Sequence, residues 1–191
     1  MLRPDLRGVG QSAGSLVSMG YYERQDREAC IAWLRERGYK RIGAHGMSMG
    51  AATLCFAMKD TPGLDFAVVE SSFDTFKHAI DRRLELVYLP HVIGWPFEAA
   101  MCLRLGVSMR GLSPLEYVSY CTCPALFLCG DSERFLTVSD TQTMFDRCGS
   151  EKKKLHVFMG GHHRTSMNTF PEESRRVLRE FLNEKAGYAI P

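Results

Sequence analysis

The stretch Ala44-His45-Gly46-Met47-Ser48-Met49-Gly50-Ala51-Ala52 decides how the rest of the chain is read. It contains Gly-x-Ser-x-Gly, the pattern of a serine held at the apex of a sharp strand-to-helix turn. The pattern alone carries little weight, because Gly10-Gln11-Ser12-Ala13-Gly14 matches it as well. The surroundings separate the two. A short strand is predicted over 41–46 and a helix over 49–59, closed by Thr61-Pro62-Gly63, with small Ala51 and Ala52 where the helix must pass near the sheet. Ser12 follows Arg7-Gly8-Val9-Gly10 in a region without apolar period and reads as loop.

Working outward, a helix is expected over 21–37, with Cys30, Trp33 and Leu34 on one face and Gly38 as its stop. Further strands are expected over 66–70, 125–130 and 155–159. Helices are expected over 74–89, 97–105 and 137–148, and a last one from Pro171 with Val177, Leu178, Phe181 and Leu182 as its inward stripe. The strands are short and apolar throughout instead of alternating in polarity. Such strands are buried on both faces, so the fold class is α/β, a parallel sheet with helices on both faces. The alternation breaks over 71–115, which reads as a helical lid or cap inserted in a single domain spanning 1–191.

Composition narrows the partners. A chain of 191 residues with 45% hydrophobic and 24% charged residues can bury one substantial core. A net charge of +2 gives no electrostatic case for nucleic acid, and the run Glu151-Lys152-Lys153-Lys154 reads as a solvated turn. The seven cysteines are scattered singly, and Cys121-Thr122-Cys123 lacks the spacing of zinc or redox pairs. Reduced thiols and a cytoplasmic location are therefore expected, with no signal-peptide pattern over 1–20. The longest uncharged stretches, 86–97 and 117–130, are short and broken by proline, so no membrane span is expected.

A serine is no nucleophile near neutral pH without a base to take its proton and a third group to orient that base. The loop after 125–130 reads Asp131-Ser132-Glu133-Arg134, and the loop after 155–159 reads Gly160-Gly161-His162-His163. Both fall at C-terminal strand ends, where open α/β sheets place their sites, and in the order serine, acid, histidine. The two glycines would let an imidazole turn back toward Ser48. No carboxylate or third histidine stands at ligand spacing from His162 and His163, so no metal and no cofactor are called for.

With these loops in place the chain resembles the α/β-hydrolase superfamily, in particular its serine-aminopeptidase-like and esterase/lysophospholipase-like members. Asp5-Leu6-Arg7-Gly8-Val9-Gly10-Gln11-Ser12-Ala13-Gly14 is similar to that group's D-x-R-G-x-G-x-S-x-G loop, which also accounts for the second match at Ser12. The resemblance implies a serine hydrolase that cleaves an ester, thioester or amide of a small-molecule acyl substrate. It implies Ser48 as nucleophile and His162 as general base, with His163 as the alternative. The family's acid loop, laid on Gly130 to Thr137, puts the acid on Glu133, with Asp131 and Glu70 as alternatives. The Met49 N–H would be one oxyanion donor.

The resemblance also implies strands before the Asp5 loop, where this sequence has only Met1-Leu2-Arg3-Pro4. The core is therefore expected to be N-terminally short, without the loop that gives the second oxyanion donor. Strand 41–46 is expected to show an unpaired edge through which copies of the chain associate. The alternative reading is a truncated or non-catalytic hydrolase-fold protein acting in binding or assembly. Within the insertion, Arg82 and Arg83 read as a solvated helix face.

Overall fold

Residues 66–69 and 125–129 are apolar on both sides of their strands, and the fold uses both sides. The computed structural model describes residues 1–60, 63–163 and 169–190. Its sheet has four parallel strands in the order β1 (Gly43–Met47), β2 (Phe66–Glu70), β3 (Ala125–Gly130) and β4 (Lys153–Phe158). The register sets Ala67 beside Ala125 and Val69 beside Phe127 on one face, and Val68 beside Leu126 on the other. On the first face these side chains pack with Leu54, Cys55 and Met58 of and after helix α2 (Met49–Phe56), and with Met144 of a later helix. On the second face Val68, Leu126 and Leu128 pack against Val177, Phe181 and Leu182 of the C-terminal helix (Pro171–Glu184). The parallel, doubly covered sheet expected from the sequence is the fold observed.

The remaining helices, in chain order, are α1 (Arg24–Glu36), α3 (Phe76–Leu86), α4 (Trp95–Leu105), α5 (Pro114–Val118) and α6 (Val138–Arg147), which makes the C-terminal helix α7. Boundaries lie within a few residues of the expected ones; the short α5 went unread, and Thr61 and Pro62, expected to close α2, lie outside the described residues. A 3₁₀ turn over His91–Gly94 leads into α4. The apolar content of the insertion divides in two. Phe76, Leu105 and Leu112 are buried with Ala52, Phe56 and Leu136 over α2. Tyr88, Val92, Trp95 and Leu103 point outward, Tyr88 with 95% of its surface exposed. Val87, inside the helix expected over 74–89, is exposed and lies one residue past the end of α3. Arg82 pairs with Glu85, as suits a solvated face.

Two local expectations change. The run 151–154 is no solvated turn: Lys153 opens β4 and its Nζ donates to the carbonyls of Phe145 (2.8 Å) and Cys148 (2.9 Å), closing the C-terminus of α6. A cation there also meets the negative end of the helix dipole. The face of α1 carrying Cys30, Trp33 and Leu34 contributes no buried residue, and Trp33 keeps 43% of its surface, stacked under Arg37. The reason is topological. β1 stands at the sheet's edge, paired with β2 alone among the described residues, so nothing beyond it covers this face.

All seven cysteines are free thiols, with Cys121 Sγ 3.9 Å from Cys123 Sγ. No described helix is long and apolar enough to cross a membrane.

Candidate active site

Ser48 follows β1 and caps α2 with φ 55° and ψ −119°, a conformation that costs a non-glycine residue on the order of 1–3 kcal/mol. The surrounding structure holds it there. The Ser48 N–H donates to the Glu70 carbonyl of the neighbouring strand at 2.9 Å, and the Ser48 carbonyl accepts from Ala51 and Ala52. Gly46 is required by contact: a Cβ there would lie 2.3 Å from the Gly50 carbonyl oxygen. Gly50 itself faces open space, so only one of the two motif glycines is needed for close packing. The Met49 N–H, first in α2, has no acceptor within the helix.

The acid and histidine loops are brought together by backbone contact. A Cβ on Gly130 would lie 2.1 Å from the Gly161 carbonyl oxygen, and Ser132 N–H donates to that oxygen at 3.0 Å. The turn over Gly160 and Gly161 then sends His163 inward. Its Nε2 is 3.0 Å from Ser48 Oγ, and its Nδ1 is hydrogen-bonded to Glu133 Oε1. The Glu133 side chain is fully buried, and its second oxygen accepts from the Ser71 hydroxyl at 3.0 Å. A buried carboxylate is costly unless its oxygens find donors, and here each has one.

His162, expected as the base, is therefore not the imidazole at Ser48. It is exposed, with Nδ1 3.1 Å from the Ser132 carbonyl oxygen. The turn over Gly160 and Gly161 directs His163, and not His162, toward Ser48. Of the three carboxylates considered, Glu133 joins the chain. Asp131 is exposed and accepts from Gly160 N–H at 2.6 Å, which ties the two loops. Glu70 is buried against His45 Nε2 at 2.8 Å on the edge strand. Ser71, which completes the acid's shell, went unnoticed in the sequence; its only signal was a place directly after an apolar strand. Ser12 donates to the Asp5 carbonyl and belongs to the N-terminal loop.

That loop is fixed by one ion pair. Arg7 reaches Asp26 of α1 through its backbone N–H (2.9 Å) and its guanidinium (2.7 Å). Burial opposes ionisation of Asp26, but the hydrogen bonds from Arg7 outweigh it and hold the carboxyl below its ordinary value.

A doubly covered parallel sheet with a strained serine after β1 and an acid and imidazole on later strand-end loops defines a member of the α/β-hydrolase superfamily. More particularly, a family model described as X-Pro dipeptidyl-peptidase (S15 family) matches residues 1–118, and the chain belongs to that family. It is 30% identical over 188 residues to the YqkD protein of Bacillus subtilis (strain 168), covering 94% of this chain and 60% of that protein. It is 24% identical to the bem46 protein of Schizosaccharomyces pombe, covering 93% of this chain and 56% of that one. The chain thus spans less than two thirds of the length of these curated relatives. Among solved structures, the Pyrococcus furiosus esterase Pf2001 superposes with a TM-score of 0.74 at 24% identity, over 95% of this chain and 69% of the esterase. The Pyrococcus horikoshii acylaminoacyl peptidase superposes with a TM-score of 0.66 at 20% identity, over 88% of this chain and 28% of the peptidase. At these identities the two structures bear on the fold.

Proposed function

We propose that the chain is a serine hydrolase acting on an ester, thioester or amide through an acyl-Ser48 intermediate, with His163 as base and Glu133 as acid. The observation that carries this reading is the unbroken line Ser48 Oγ, His163 Nε2, His163 Nδ1, Glu133. As Ser48 Oγ attacks the substrate carbonyl, His163 Nε2 takes its proton across 3.0 Å. Glu133 accepts from Nδ1–H, which fixes the tautomer that leaves Nε2 free and stabilises the imidazolium that forms. Ser71 holds Glu133 from the other side. The Met49 N–H, first in α2 and without an intrahelical acceptor, would serve as one donor to the developing oxyanion. His163 then returns the proton to the leaving group, and water repeats the sequence to release the acid. The family description and the esterase and acylaminoacyl peptidase neighbours share this acyl chemistry, and support it as the reaction class. The insertion over 71–115 would act as the lid, with Phe76, Leu105 and Leu112 as its inner apolar surface.

A fluorophosphonate probe tests the reading, because it reports an activated serine whatever the natural substrate is. The wild-type chain is expected to label stoichiometrically, and Ser48→Ala and His163→Ala to lose labelling. His162→Ala is expected to label within a few-fold of wild type. A second reading, a hydrolase-fold protein that binds or assembles without turnover, is favoured by the open edge of β1. Absence of labelling in monodisperse, folded protein would establish it instead.

A further inference from the structure

We propose that Asp74, His78 and Asp140 form a binding site for a divalent cation of the zinc class, joining the insertion to the loop that carries Glu133. The three side chains come from two elements. Asp74 precedes α3 and His78 lies four residues on, in its first turn; Asp140 lies in the first turn of α6. One ligand atom from each falls within 4.8 Å of the other two.

The three side chains converge on one point. His78 Nδ1 is 3.1 and 3.2 Å from the two oxygens of Asp74 and 3.4 Å from Asp140 Oδ1. The Asp140 side chain is only 6% exposed and its Oδ2 is engaged in the capping box of α6, so Oδ1 is the oxygen turned toward His78. A cation seated between the imidazole and the two carboxylates would join all three. Ligands about 2.0–2.1 Å from a tetrahedral zinc ion stand about 3.3 Å apart, the separation found here between the imidazole and each carboxylate.

The ligands are also oriented from behind. Asp140 Oδ2 is held by the N–H (2.7 Å) and hydroxyl (3.0 Å) of Thr137, which leaves Oδ1 for a metal. Asp74 Oδ1 accepts from Thr75 N–H at 2.5 Å, which leaves Oδ2. The Thr75 hydroxyl accepts from the His78 backbone N–H at 3.0 Å and fixes the turn that carries the imidazole. Such outer partners set ligand orientation in built metal sites. One imidazole and two carboxylates suit zinc or cobalt; calcium, which takes six to eight oxygens, is a poor match. Asp74 stands three residues after Ser71 and Asp140 seven after Glu133, so an ion here would clamp the two loops whose side chains meet at 3.0 Å.

The test uses tag-free chain freed of metal by a chelator and titrated with zinc chloride by calorimetry, and separately with cobalt chloride by absorption spectroscopy. We expect one ion per chain, and a cobalt spectrum with visible d–d bands and no sulfur-to-cobalt charge-transfer band. Affinity should fall on the order of a hundredfold in His78→Ala and in the isosteric Asp140→Asn, and be unchanged in Cys121→Ser/Cys123→Ser. Asp74→Asn supplies the same reading should His78→Ala fail to fold. No ion taken up by the wild type, equal uptake by the ligand variants, or a sulfur charge-transfer band would each overturn the proposal.

Discussion

Gly46 and Gly50 look equivalent in the motif, yet the structure gives them opposite roles, and substituting each by alanine separates them. At Gly46 the new Cβ would meet the Gly50 carbonyl oxygen at 2.3 Å and the Gly50 carbonyl carbon at 2.5 Å. Ordinary carbon–oxygen contact needs about 1 Å more, and both atoms are backbone, so β1 and α2 must move apart. Overpacking of this kind costs about 1–3 kcal/mol, and a rigid strand-to-helix turn puts it at the upper end. Gly50→Ala adds a Cβ into open space within the first turn of α2, where the lower backbone entropy of alanine stabilises by about 0.5 kcal/mol. The two variants should thus differ by about 3 kcal/mol. With a urea dependence of about 2 kcal/mol per molar, their unfolding midpoints should lie more than about 1 M apart on opposite sides of wild type. Fluorophosphonate labelling, read in parallel, should be lost in Gly46→Ala and retained in Gly50→Ala. Midpoints that coincide within about 0.3 M would refute the argument that contact, and not the motif as a whole, fixes the first glycine.

Other outcomes follow from single contacts. Ser48→Gly should be more stable than Ser48→Ala by about 1 kcal/mol, because glycine accepts the φ of 55° without strain; equal midpoints would mean the turn stores none. Ser71→Ala removes the donor to a buried Glu133 oxygen, which should cost about 1–3 kcal/mol and slow labelling without abolishing it; full-speed labelling would remove Ser71 from the acid's support. The folded pKa of Asp26 lies below its unfolded value, so the contribution of the Arg7 pair is fully present above the unfolded value and lost as pH falls through the folded one. The midpoint difference between wild type and Asp26→Asn should therefore shrink in acid, and a difference independent of pH would contradict the assignment. Sedimentation of the 191-residue chain should reveal self-association through β1, and a stable monomer would count against that role for the edge.

The parts of this fold legible in sequence are those governed by short-range rules. β2 and β3 were readable because their side chains, Glu70 at the end of β2 apart, are apolar on both faces, and the elbow because strand, glycine, serine and helix stand in a row. Loop order pointed to the loop over 131–134, and the resemblance to the family's acid loop picked Glu133 within it. The choice between His162 and His163 was not local in this sense. Neighbouring residues in a turn point in different directions, so which imidazole faces Ser48 depends on the path of the chain over Gly160 and Gly161 and its contact with the acid loop. Ser71 was invisible for a similar reason: its partner is 62 residues away, and only the β2–β3 pairing brings the two loops together. Lys153 was misread because a charge run looks solvated until the carbonyl ends of a neighbouring helix are in place beside it.

These observations divide the molecule by how completely each part is satisfied. Around Ser48 the side chains of the proposed triad and Ser71 each have a partner from a different element, and that mutual support is what allows a strained φ to persist. The edge of β1 and the outward side of α1 are the reverse. Among the described residues β1 pairs with no strand but β2, and Trp33 is exposed, although the same strand delivers the serine. The turn after β1 is anchored through Ser48 N–H to the Glu70 carbonyl and through α2 against the sheet. Whatever pairs with the open edge would stiffen β1 against fraying and so hold Ser48 Oγ within reach of His163. Association at the edge and reactivity at the serine should consequently rise together. If the labelling rate per chain stayed constant across concentrations at which the chain passes from monomer to dimer, edge and elbow would be mechanically independent.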